Sequence, residues 1–239
     1  MTPLVLGTRG SRLALRQTEQ VATMLRERWP ALDVRIDVLA TSGDERLDIP
    51  FPDLAADAFT DRLERALLTG SIQAAVHSYK DLPYESSPDL IIAAVPVRAD
   101  VREALVSRGG ATLAQLPTGA IVGTSSERRS AILKRLRPDI ELRPMRGPVD
   151  ARLQQVMDGT YDAAIFAVAG LDRLGLSHHI TEYFSVEVIR PAAGQGALAV
   201  QCRAADDATR MLLAGIDDVA LHATVRAERE HEAGTKRTA

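Results

Sequence analysis

Residues 74–83 read AAVHSYKDLP, an apolar run that ends in His77, Ser78, Tyr79, Lys80 and Asp81 with Pro83 close behind. Such a run ending in polar groups suits a strand whose tip enters a site. Asp81 beside Lys80 offers a carboxylate that can accept N–H hydrogen bonds and stabilise a developing cation. Its plain alternative is a loop carboxylate paired with Lys80. Two other stretches pass from an apolar strand through a polar turn into a helix start. LGTRGSRLAL carries Arg9 and Ser11, and VGTSSERRSA carries Thr124, Ser125, Ser126, Arg128 and Arg129. A helix N-terminus presents free N–H groups and positive partial charge, so hydroxyls and arginines there suit a carboxylate or phosphate. LRPMRGPVDARL adds Arg143, Arg146 and Arg152, and AGLDRLGL adds Arg173. Arginine holds a carboxylate bidentately and keeps its charge. The set fits a ligand bearing several carboxylates. On spacing alone, a single arginine reads first as a solvated helix-face residue whose stem covers apolar surface, and only Arg128 and Arg129 read as readily as binders.

The elements that must place these groups alternate between β and α patterns. PLVLGT is β-like, and Ser11 caps a helix running to Trp29. DVRIDVLAT alternates as a strand. Leu54 to Leu68 reads as a helix, and AAVHS and LIIAAVPV as strands. A second set follows: ALVS, AIVGTS, a helix from Ser126 to Leu136, IELRPM, a helix from Val149 to Met157, and the strand DAAIFAVAG. GALAVQC and a helix over Ala208 to Ile216 come late. Alternation of this kind predicts an α/β protein with largely parallel sheets, whose ligands sit beyond the carboxyl ends of strands.

Composition narrows the rest. The 239 residues are 46% hydrophobic and 26% charged with net charge −3, which fits a globular chain and gives no global pull toward nucleic acid or membrane. No apolar run approaches the ~20 residues of a membrane span. The N-terminus has no signal-peptide pattern, so a cytoplasmic location is expected. One cysteine, Cys202, excludes a disulfide framework and a cysteine zinc site. His178 and His179, adjacent in a polar turn, do not suit a metal, and none is expected.

GTRGSRLALRQ, AVHSYKDLP, IVGTSSERR, AVAGLDRLGL and PAAGQGALAVQCR, in that order, resemble the porphobilinogen deaminase (hydroxymethylbilane synthase) family from about residue 6 to 230. The resemblance implies two similar α/β lobes around a cleft, like a type II periplasmic binding protein. It also implies a third α+β domain whose cysteine carries a dipyrromethane cofactor. Porphobilinogen units are deaminated and joined head to tail into a linear tetrapyrrole. The catalytic aspartate falls on Asp81, where it contacts pyrrole N–H groups and stabilises an azafulvene-like cation. Cofactor and substrate carboxylates fall to Arg9, Ser11, Lys80, Thr124, Ser126, Arg128, Arg129, Arg146, Arg152 and Arg173.

Three features depart from the family pattern. The chain stops at Ala239 without the Gly-Gly-Cys segment, and Cys202 is not at the attachment position, so no attachment residue is expected and any dipyrromethane is held non-covalently. The glycine- and lysine-bearing loop before the second helix is replaced by DIPFPDLAADAFTDRLE, with Asp53 and Asp57 as negative charges. Pro148 stands where the family usually has asparagine, a change that a first helical turn tolerates. The expected organisation is lobe 1 over 1–97 plus 198–217, lobe 2 over 98–197, and a helical remnant of the third domain over 218–239. The expected function is porphobilinogen deaminase-like chemistry on an acidic pyrrole. The alternative is a two-lobed binding protein for an acidic small molecule, with a partner chain conceivable in place of the third domain.

Overall fold

The computed structural model describes residues 3–46, 55, 57–84 and 87–237, with side chains to 234. Asp53 lies outside the described residues. In chain order the elements are β1 (Leu4–Thr8), α1 (Arg12–Arg28), β2 (Val34–Val38), α2 (Ser42–Glu45), α3 (Asp61–Thr69), β3 (Ala74–Ser78), β4 (Leu90–Ala94) and β5 (Glu103–Ser107). There follow β6 (Ile121–Gly123), α4 (Glu127–Leu136), β7 (Glu141–Arg143), α5 (Val149–Met157), β8 (Ala163–Ala167), α6 (Val168–Arg173), β9 (Glu182–Phe184), β10 (Leu198–Arg203), α7 (Asp207–Ala214) and α8 (Val219–Arg237).

Unit 1 takes Met1–Arg46, Ala55–Ala99 and Ala192–Ala239, and unit 2, among the described residues, Asp100–Pro191. The crossings thus fall at 99/100 and 191/192, beside the expected 97/98 and 197/198, and the terminal helix α8 belongs to unit 1. In unit 1 the described strands form one sheet in the order β2-β1-β3-β10-β4. β1 runs parallel to β2 and β3, while β10 runs antiparallel to both its neighbours. In unit 2 the order is β7-β6-β8-β5-β9, with β6 parallel to β7 and β8, and β5 antiparallel to β8 and β9. Each sheet therefore holds one reversed strand in the same place. The chain's return supplies it in unit 1 and the chain's entry supplies it in unit 2.

Helix α1 shows why these segments fold as they do. Ala14, Gln17, Thr18, Val21, Ala22 and Leu25 are buried, a three-and-four spacing that lays one stripe on the sheet. Ser11 Oγ accepts the Ala14 N–H at 3.2 Å, satisfying an orphan donor of the first turn. Arg26 and Arg28 oppose the negative end of the helix dipole. The stripe joins Leu4, Leu6, Val76, Leu198 and Val200 in the unit 1 core, while Leu105, Val122, Leu133 and Ile165 centre one core cluster of unit 2.

Two elements differ from the sequence reading. The helix expected from Leu54 starts at Asp61, because Asp57 C=O takes the Thr60 and Asp61 N–H groups in a turn, at 2.7 and 2.8 Å. The apolar run Asp162–Gly170 is a strand only to Ala167 and then becomes α6. Strand and helix are both buried there, and an unbroken apolar run does not reveal the change of period. Pro148 sits at the N-cap of α5, and its C=O still accepts the Arg152 N–H at 2.9 Å.

Candidate active site

In unit 1 the ends of β1 and β3 and the start of α1 line one pocket with Arg9, Ser11, Gln17, His77, Ser78 and Asp81 among its walls. Tyr79–Asp81 form a single 3₁₀ turn directly after β3, so Asp81 is carried by a rigid strand end. Asp81 is exposed at the pocket, and among the described residues it makes no hydrogen bond or ion pair. Lys80 does not pair with it. Its Nζ donates to Gln195 Oε1 at 3.2 Å, which removes the plain reading of Asp81 as the lysine's counter-ion.

Arg9 stands opposite in a fixed pose. Its Nε and Nη2 engage Asp44, with Nη2 to Oδ1 at 2.5 Å, and its guanidinium lies 4.4 Å from the centre of the Phe59 ring. Burial acts to raise the Asp44 pKa. Hydrogen bonds and charge from Arg9, with hydrogen bonds from Thr41, outweigh it, and the net shift is downward. Ser11 is engaged as the α1 cap. Burial first, and Arg9's charge as well, push the His77 pKa down to about 4 against the opposing hydrogen bond to Gln201. The pocket therefore combines a carboxylate, a fixed cation and a neutral imidazole. Asp57 is exposed.

In unit 2 the sequence-predicted residues gather at the carboxyl ends of the parallel strands β6, β7 and β8. Thr124 Oγ1 accepts the Ser126 N–H at 3.2 Å, and Ser126 Oγ caps α4 by accepting the Arg129 N–H at 3.4 Å. Ser125 ties this turn to the next loop by exchanging hydrogen bonds with Met145 at 2.7 and 2.9 Å. The guanidinium of Arg152 lies 5.6 Å from the centre of the Phe166 ring. Arg146 is half-buried in the loop between β7 and α5. Burial drives the half-buried Arg173 pKa down to about 10, against the pull of Asp172. A cation so desolvated gains from a nearby anion.

Arg129 departs from the expected role. It is buried, and its guanidinium is engaged by Glu103 at 2.6 and 3.1 Å and by Ile165 C=O at 3.0 Å. It is a structural partner of the fully buried Glu103 rather than an open carboxylate binder. Arg128 bonds the same Glu103 and the Arg190 carbonyl, and stays partly exposed.

A family model described as "Porphobilinogen deaminase, dipyromethane cofactor binding domain" matches residues 4–211. The chain belongs to the porphobilinogen deaminase family. A porphobilinogen deaminase of Acidothermus cellulolyticus is 49% identical over 236 residues, covering 96% of this chain and 70% of its own length. One of Sorangium cellulosum is 48% identical over 229 residues, covering 95% and 76%. Among solved structures, an arginine-specific periplasmic binding protein of Salmonella typhimurium superposes with TM-score 0.52 at 15% identity, covering 97% of this chain and 99% of its own. The sulfate-bound OxyR2 regulatory domain of Vibrio vulnificus does so with TM-score 0.54 at 15% identity, covering 90% and 95%. These likenesses assign the two-lobed, type II periplasmic-binding-protein-like fold.

Within each unit of this porphobilinogen deaminase-family chain, several residues that hold the candidate side chains escaped the sequence reading. Gln195 holds Lys80, and Glu103 holds Arg128 and Arg129. Arg229 of α8 donates to the carbonyls of Tyr79, Leu82 and Pro83 at 3.0, 3.1 and 2.6 Å, gripping the turn that carries Asp81. Glu228 beside it bonds Arg98 at 2.7 and 2.9 Å and the Gly194 N–H at 2.9 Å. Only the PAAGQGALAVQCR match could have pointed to Gln195. Glu103 and Arg229 sit in stretches with no distinguishing spacing. Cys202 is fully buried in β10, and burial foremost, with Asp206, raises its thiol to about 11.

Proposed function

We propose that this chain acts on porphobilinogen, releasing ammonia and contributing to tetrapyrrole chain growth. The observation that carries this reading is the Asp81 carboxylate, exposed at the pocket and not paired with its neighbour Lys80. In the proposed step the aminomethyl group of porphobilinogen reacts as its ammonium form, and the bond between its carbon and nitrogen breaks. The electron pair leaves with nitrogen, which departs as neutral ammonia, and the positive charge passes to the pyrrole-methylene fragment. Asp81 accepts the ring N–H and lowers the energy of that cation by charge, a role that needs an anion fixed before the reaction. Lys80, held by Gln195, and Arg9, held by Asp44, orient the acidic side arms.

The family's dipyrromethane fits the residues present. In unit 1, Arg9 and Lys80 would hold its carboxylates. When bound, dipyrromethane supplies the nucleophilic pyrrole carbon for condensation. Attachment through Cys202 is not part of this reading, since that thiol is buried and poorly ionised.

The test is incubation with porphobilinogen, measuring ammonia release and pyrrole consumption. Turnover is expected, with a loss of about a hundredfold or more in Asp81→Asn. Equal turnover in that variant refutes the assignment. Calorimetric binding of porphobilinogen without ammonia release would instead establish the binding-protein alternative.

A further inference from the structure

The carbonyl that holds Lys80 is itself held from a distance. Gln195 is fully buried and sits between Gly194 and Gly196, whose φ angles are +69° and +84°. A buried turn of this kind is set by where its backbone groups find partners. The Gln195 N–H bonds Ala192 C=O at 3.0 Å. The Gln195 backbone carbonyl accepts Arg98 Nε at 3.0 Å, and the Gly194 N–H donates to Glu228 Oε2 at 2.9 Å. Glu228 also takes both Nη atoms of Arg98, a two-pronged grip that fixes the guanidinium plane. One carboxylate of α8 therefore sets the turn twice, directly at Gly194 and through Arg98 at Gln195. A Cβ at position 194 would come within 2.6 Å of the Tyr79 ring, so the turn also presses on the residue before Lys80. Lysine carries a point charge on a flexible stem, and its resting place depends on the acceptor that holds it. Here that acceptor is Gln195 Oε1, at 3.2 Å from Lys80 Nζ. All of these residues lie in unit 1.

We propose that Glu228 is a positioning residue for Lys80: it fixes Arg98 and the Gly194–Gln195 backbone, and through them the side-chain carbonyl that aims the lysine. This rests on the reading in which Lys80 orients an acidic side arm of porphobilinogen. A charge that orients a side arm acts on bound substrate and transition state alike, so losing its aim raises KM and leaves kcat nearly unchanged. The next residue along α8 gives the contrast. Arg229 grips the turn that carries Asp81, and Asp81 acts on charge that develops only during the reaction. Loosening Arg229 therefore lowers kcat. Two neighbours on one helix thus feed two different kinetic constants.

The test uses the whole chain labelled with ¹³C-lysine. Its lysines are Lys80, Lys134 and Lys236, and the signal lost in Lys80→Arg identifies Lys80. A held ammonium gives its two ε-methylene protons different shifts, and a freely turning one averages them. Lys80 should show two shifts in the native chain and one in Glu228→Gln. Arg98→Met breaks the relay at its middle link and should do the same. In ammonia release from porphobilinogen, Glu228→Gln should raise KM by about tenfold, the worth of one charged hydrogen bond. Arg229→Met should instead lower kcat. A single Lys80 shift in the native chain, or two shifts retained in both Glu228→Gln and Arg98→Met, overturns the proposal. So does an identical change of KM and kcat in Glu228→Gln and Arg229→Met, which would make α8 a general support. The spectra also separate the two readings. Lys80 shifts that merge as expected in a chain without turnover sink the catalytic reading alone, and turnover with unmoved shifts sinks the Glu228 role alone.

Discussion

Replacing Glu103 should be the most damaging single change in unit 2, and its cost can be worked from the contacts. Glu103 has no exposed surface and receives Arg129 through two hydrogen bonds and Arg128 through one. Glu103→Ala strands the buried Arg129 with the Ile165 carbonyl as its remaining acceptor among those contacts. Breaking a buried pair by removing one partner costs about 3–5 kcal/mol, most of it from the uncompensated charge. Arg128 is different. Its side chain is 26% exposed, and Arg128→Ala should cost under about 1 kcal/mol because water and salt screen it. If the stranded charge is the cause, Glu103→Ala/Arg129→Met should be more stable than Glu103→Ala alone, with a coupling of about 2 kcal/mol. Urea unfolding followed by far-UV circular dichroism measures these differences. With a slope of about 2 kcal/mol per molar, the Glu103→Ala midpoint should fall by about 1.5–2.5 M. The single tryptophan, Trp29, lies in unit 1, so its fluorescence reports unit 1 separately. A midpoint shift below about 0.5 M, or strictly additive single and double variants, would refute the reasoning.

The depressed His77 gives an acid-sensitive stability. Its pKa falls from 6.5 to about 4 on folding, so the unfolded chain binds the extra proton between those values and stability is lost as pH drops through that window. The loss from pH 7 to pH 5 is about 2 kcal/mol, and His77→Phe should remove that part of the acid slope; identical slopes in chemical unfolding at the two pH values would contradict it. Arg229→Ala should cost about 1–3 kcal/mol by releasing three carbonyls of the Tyr79–Pro83 turn. It should also speed hydrogen exchange of the Leu82 amide, which bonds Tyr79 C=O, and unchanged exchange there would deny the brace.

Much of the fold was legible because α1, α4 and α5 announce their ends and spacing. Ser11 caps as read, Ser126 caps the α4 that was read as starting on it, and the buried stripe of α1 follows its sequence period. The failures have a common cause. Residues 163–170 form a largely buried strand running into a buried helix, so neither face is marked by polar residues. The start of α3 is set by Asp57 C=O and by contact with the chain near Gly43, whose N–H bonds Ala58 C=O at 2.7 Å. No local pattern encodes that. The site divides along the same line. Asp81 and Lys80 are readable from a strand end and a short motif. Arg129 reads as a ligand from its place after the turn, yet Glu103, 26 residues earlier, claims it. Long-range acid partners of this kind leave no mark in the spacing around an arginine. Gln201 likewise meets His77 only through the register of β10 on β3.

The reversed strand β10 has a consequence for synthesis at the ribosome. It fills the gap between β3 and β4, yet residues 95–197 are made between β4 and β10. At ordinary translation rates that interval lasts roughly 5–20 s. During it β3 and β4 present open edges and part of the unit 1 core has no cover, a state prone to wrong strand pairing. Unit 2 is nearly continuous and can close its sheet within that interval. The nascent chain therefore finishes its second unit before its first, and the turn bearing Asp81 is braced only once α8 has emerged.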